Sequence, residues 1–158
     1  MRYAAGCFAL CTLALFVGCN GGPRPRGSGQ FEIYLGSEEN KSGYTEVPVP
    51  NVEDRIFRAP RPEFTEADVK SAKVFEKVHR RAGTAWWIGI EFRSDAAKRL
   101  EKLTRENARE RLVIVLRGEP IAAPIIMGPM SNLLLQGEFT REQAAAIAAA
   151  AGGAGTGM

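Results

Sequence analysis

The chain has 158 residues, 45% of them hydrophobic and 25% charged, with a formal net charge of +3. That leaves room for one domain with a leader and tails, large enough to bury a core without disulfide or metal support. Arginines and glutamates are interspersed and form no long like-charge block, which argues against a nucleic-acid partner.

The amino terminus reads as an export leader. Arg2 gives it a positive end, and residues 4–17 form an apolar run. A membrane span needs about 20 such residues, so this run suits a signal-peptide core instead. It closes on Phe16-Val17-Gly18-Cys19. These residues resemble the lipobox of bacterial lipoproteins, where a small residue precedes a cysteine that takes a diacylglycerol before cleavage. Phe16 stands where that family usually has leucine. The resemblance implies a signal peptide at 1–18, lipidation of Cys19, and a domain held outside the cytoplasm at an envelope membrane. The other reading is an ordinary secretory leader with an incidental cysteine. The cysteines are Cys7, Cys11 and Cys19. Two leave with the leader and the third carries lipid, so the mature domain has no thiol for a disulfide, a metal or nucleophilic catalysis.

Residues 19–30 are rich in Gly, Pro and Ser and form a flexible tether. The domain then spans 31–151. Residues 31–35 alternate as a strand, 36–50 are polar with Gly and Pro and read as a loop, and 55–59 form a second short strand. Thr65 can cap a short helix over 65–68, after which 73–77 are extended. Residues 86–92 are a strand with Trp86, Ile88, Ile90 and Phe92 on one face and Trp87, Gly89 and Glu91 on the other.

Ser94 caps a helix running to about Arg109, with Ala96, Ala97, Leu100, Leu103, Thr104 and Asn107 in one stripe. The apolar run 112–116 is a central strand. Arg117-Gly118 turns it back into a strand over 121–127, which Pro124 forces to an edge or a bulge. A strand over 132–136 follows. Thr140 then caps a last helix, with Gln143 in the capping-box position. The glycines of the 152–158 tail end that helix and fray. The expected fold class is α+β, a small, mainly antiparallel sheet with two or three helices packed on it. The helix from Ser94 should lie on one sheet containing 86–92, 112–116 and 121–127, with Leu100 and Ile114 buried.

Several of these features occur together in one order. They are the TEADVKSAKV segment from Thr65, the Ser94-led helix with Thr104 and Asn107, the 112–116 strand, the Arg117-Gly118 turn, Ala123-Pro124, Gly137-Glu138-Phe139-Thr140, and the early Ala144 of the last helix. Residues 64–148 in this order resemble the head part of the first periplasmic domain of SecD and SecDF. Arg117 departs from the usual turn aspartate, and the loop after Ile126 is shorter than in that family. The resemblance implies the fold, a location outside the cytoplasmic membrane and a weak affinity for unfolded polypeptide. Members of that family continue into membrane helices that couple proton flow to export. This sequence ends in alanine and glycine with no candidate span beyond the leader, so the proton-driven role is not expected.

Residues that could carry chemistry are few. His79 stands beside Arg80 and Arg81 in a basic stretch with no assignable carboxylate to orient it. Glu38-Glu39 and Glu53-Asp54 read as solvated turns. No spacing suits a metal, no cofactor is implied, and the glycines at 152 and 155 lack the strand-to-helix context of a phosphate loop. Thr104 and Asn107 read as bonding to nearby backbone, the sharper alternative being a ligand site. The partners expected are a membrane, through the lipid anchor, and polypeptide or envelope proteins. The candidate binding surface is Met127, Met130 and Leu133, near the Gly128-Pro129 turn, with Trp87 as the spare aromatic. The alternative is that the methionines fill core gaps and the 36–50 segment covers Trp87. The function expected is a non-enzymatic envelope lipoprotein module, with an envelope enzyme of unrecognised site as the alternative class.

Overall fold

A computed structural model of the chain describes residues 29–79 and 83–152. The leader, Cys19, most of the tether, and residues 153–158 lie outside the described residues. The side chain of His79 is likewise not described.

Apolar residues at every second position make strands wherever one face can be covered. β1 (Phe31–Ser37) and β7 (Arg111–Leu116) are apolar on both faces and pair antiparallel at the centre of the larger sheet. Its order is β2 (Thr45–Val47), β3 (Ile56–Arg58), β1, β7 and β8 (Glu119–Ala122), with the short β4 (Phe64–Thr65) also pairing β1. The second sheet has the order β5 (Val69–His79), β6 (Gly83–Phe92) and β9 (Asn132–Phe139). Two helices complete the domain, α1 (Ser94–Glu106) and α2 (Arg141–Ala150).

The main core joins both sheets and both helices. Phe31, Ile33, Leu112 and Ile114 come from the larger sheet, Ile88, Ile90, Leu133 and Leu135 from the smaller, and Ala96, Leu100, Ala144 and Ile147 from the helices. Leu100 and Ile114 are fully buried. On its other face, β7 places Val113 and Val115 against Tyr34, Val49 and Ile56 in a second cluster. The α+β class with mainly antiparallel pairing stands. The expected single sheet does not, because 86–92 and 112–116 belong to different sheets.

Local departures have physical causes. The 36–50 segment contains the exposed strand β2, held as an edge by β3. The turn after Thr65 is a single 3-10 turn over Glu66–Asp68 rather than an α-helix. There Asp68 turns its carboxylate back to accept from the Thr65 N–H at 3.0 Å and from Arg99 at 2.6 Å. That bonding fixes a tight turn and leaves no ladder to propagate. α1 starts at Ser94 with Arg93 in the cap position, so Ser94 is not the cap. It ends at Glu106, where Asn107 closes it by donating its side-chain N–H to the Leu103 carbonyl at 2.8 Å. The predicted 121–127 strand is broken after Ala122. Pro124 has no N–H to give, but its carbonyl accepts from the Leu112 N–H at 2.9 Å, so the chain stays beside β7. Glu38 and Asp54, expected as solvated turn residues, converge on the buried Arg111 at 2.5 and 3.1 Å. Gly152 has a φ of 88° and ends α2 as expected.

Candidate functional site

The edge strands β8 and β9 each pair on one side only among the described residues, β8 with β7 and β9 with β6. Both border a cleft of about 670 Å³. Ile121 and Ala122 of β8 line one wall, Leu135, Gln136, Gly137 and Phe139 of β9 another, and Ala146 and Ile147 of α2 the floor. Asn51, held in the left-handed region at φ 59°, places Pro50 and Val52 at the rim.

Two sequence features shape this cleft. The β6–β9 register slips between Trp86–Phe139 and Ile88–Leu135, so three residues of β9 stand opposite Trp87. Such a bulge bends the strand and re-aims its side chains. Gly137 then lets the Phe139 ring lie against the backbone, since a Cβ there would meet that ring at 2.9 Å. The lining residues include no charged side chain and no histidine; Asn51, Gln136 and Gln143 supply the polar side chains. Nearby, Glu142 in the first turn of α2 has its carboxyl held below the ordinary range, first by a backbone hydrogen bond and then by Thr140. An uncharged apolar cleft bordered by strand edges can take up apolar side chains and pair with extended backbone.

The residues singled out in the sequence do not converge on this cleft. Met127 is 87% exposed on the segment between β8 and β9. Met130 is half-buried against the main core, and its N–H donates to the Thr104 hydroxyl at 3.0 Å. Leu133 is buried in the core. Trp87 is half-buried on the outer face of the smaller sheet, with Lys77 Nζ 5.1 Å from the ring centroid. Thr104 and Asn107 bond to the Leu100 and Leu103 carbonyls at 2.8 Å, as the backbone-bonding reading expected. The cleft residues Ile121, Gly137, Phe139 and Ala146 were missed as site residues. The available signals were the prolines at 120 and 124, which mark an edge, and the glycine two places before Phe139.

The family model of the SecDF P1 head subdomain matches residues 46–153, a stretch that holds every residue lining the cleft. The chain belongs to this family. Two solved structures resemble the head subdomain described here. One is of SecDF, a membrane component that enhances protein export, at 21% identity and a TM-score of 0.55. It is matched over 77% of this chain and 60% of that one. The other is of SecDF in a super-membrane-facing form, at 24% identity and a TM-score of 0.58, covering 77% of this chain and 18% of that one. At these identities the likeness is one of fold, and the chain spans less than two thirds of either SecDF structure. No curated protein matches the chain. Among the described residues no helix is long and apolar enough to cross a membrane.

Proposed function

We propose that this head subdomain is a non-catalytic envelope module that binds exported polypeptide in extended form in the cleft between β8 and β9. The observation that carries the reading is the composition of that cleft, apolar, uncharged and bordered by two strand edges. An extended chain can add to such an edge by main-chain hydrogen bonds while alternate side chains enter apolar pockets. Binding of this kind reads backbone and hydrophobicity, which suits unfolded chains of varied sequence. The link of the family to protein export supports the same partner. Acyl chains on Cys19 would hold the module at the membrane, since two chains anchor stably where one is marginal. Met127 is the sequence candidate most open to a partner and is proposed as a peripheral contact.

Ala146 gives the cleanest test because it is exposed and lines the cleft. Ala146→Glu places a carboxylate among apolar walls and leaves the core untouched. Its affinity for a labelled unfolded polypeptide should fall about tenfold or more, since each 1.4 kcal/mol is tenfold, while the melting temperature holds. Equal affinity in both proteins would refute the cleft as the site. For the anchor, Cys19→Ser should release the protein from membranes or block its processing. Unchanged mass and attachment would refute lipidation.

A further inference from the structure

The smaller sheet has a second face, turned away from the core, on which large apolar side chains stand among charged ones. Side chains alternate across a strand, so Lys73, Phe75 and Lys77 of β5 share this face with Trp87, Gly89 and Glu91 of β6 and Leu134 of β9. Phe75 is 49% exposed and Leu134 is 46% exposed. Gly89 lies between them in register, opposite Lys73 on one side and Leu134 on the other. A Cβ on Gly89 would fall 2.8 Å from Cε2 of Phe75, so the ring lies across the glycine. The result is a shallow apolar hollow of about 360 Å³. None of the residues lining it lines the cleft.

Its charge is one-sided. Lys70, Lys73 and Lys77 stand on β5 against one carboxylate, Glu91, among the described residues of this face. Lys70 holds that carboxylate at 2.6 Å, with Ser71 bonding its other oxygen at 3.1 Å. Lys77 stands over the Trp87 ring. Protein–protein interfaces are depleted of lysine, whereas lysine with tryptophan is the composition of the membrane–water boundary, where lysine stems lie along apolar surface and lift the ammonium into water.

We propose that this face docks on the anionic surface of a lipid bilayer. Phe75 and Leu134 enter the headgroup layer, Trp87 lies at its level, and the lysines meet lipid phosphates. Charge complementarity selects an anionic bilayer over a neutral one, and the attraction falls off within a Debye length. The face is separate from the polypeptide cleft, so the head could rest on the membrane with the cleft open.

Of the two tryptophans of the chain, Trp86 packs against the core and Trp87 lies on this face, so bilayer quenching of tryptophan fluorescence reads Trp87. The full chain would be reconstituted into vesicles of brominated phosphatidylcholine, with or without phosphatidylglycerol. Acyl chains on Cys19, as proposed above, attach all samples alike, so quenching reads docking. Quenching should be strong with phosphatidylglycerol and weak without it. It should fall to the neutral-lipid level in the Lys73→Glu/Lys77→Glu double variant, with polypeptide affinity unchanged. Should the double variant fold poorly, high salt on the wild type replaces it and should abolish the same difference. Quenching that is absent, equal in both lipids, or unaffected by charge reversal and by salt would overturn the proposal. Loss of polypeptide binding in the double variant with no lipid dependence would also overturn it and make the face a protein-docking surface.

Discussion

The Thr104 hydroxyl donates to the Leu100 carbonyl at 2.8 Å and accepts from the Met130 N–H at 3.0 Å. It is fully buried, and it fastens the turn before β9 to α1. Thr104→Val keeps the shape and leaves the Met130 N–H without its acceptor. An unsatisfied buried group costs about 1–3 kcal/mol, so the urea midpoint should drop with an unchanged slope. A midpoint equal to that of the parent would contradict the fastening role. The bond from Thr104 to its own helix was legible from spacing, because a threonine on an inner stripe has the carbonyl four residues back within reach. Its partner Met130 was not, since 26 residues separate the two and nothing local brings them together. Phe75 is a similar case. It falls in phase with Lys73 and Lys77, so the sequence shows an apolar residue on a polar face, but only the register places Gly89 and Trp87 beside it.

At the scale of elements, α1 shows why helices were easier to read than sheets. Ala96, Leu100 and Thr104 recur every four residues and are all buried, so a local period gives the inward face directly. Leu100→Ala should cost about 2–5 kcal/mol, the range for truncations that leave a cavity. Calorimetry or chemical denaturation measures it, and a cost under about 1 kcal/mol would mean that the site collapses or is not core. Strand positions were also legible from alternation, as in Trp86, Ile88, Ile90 and Phe92. Sheet membership was not, because pairing depends on hydrogen bonds between distant segments. β6 and β7 lie close in sequence yet belong to different sheets, and α1 between them carries the chain from one to the other. The 3-10 turn after Thr65 was masked for another reason. The Thr65 signal marks a helix start, while the Asp68 carboxylate, shared with Arg99, decides that it stops after one turn.

Across the whole molecule, exposed carboxylates held by hydrogen bonds add a modest acid limb to stability. Hydrogen bonds from Arg55 hold Glu46 below the ordinary 4.5, and hydrogen bonds from Lys70 and then Ser71 do the same for Glu91. With Glu142 these carboxylates have folded values below their unfolded ones. Their contribution is therefore present above about pH 4.5 and is lost as pH falls through the folded values. Lys41, raised above 10.5 first by its hydrogen bond to Glu110, contributes fully below that value and loses its share as pH rises through the raised one. The melting temperature should stay level through the neutral range and fall below about pH 4.5, with a shallower acid fall in Glu91→Gln. A flat acid limb in the wild type would contradict these assignments. The family was legible in the order of elements from Thr65 to Ala144, but the cleft was not, because its walls come from β8, β9, α2 and the 50–52 loop and meet only in the folded chain. The measurement that bears most directly on that cleft places a photoreactive phenylalanine analogue at Phe139, on its wall, and separately at Phe75, on the outer face of the smaller sheet. With a labelled unfolded polypeptide, irradiation should give strong crosslinks from position 139 and little from position 75. Crosslinks at 75 equal to or above those at 139, or none at 139, would contradict polypeptide binding in the cleft.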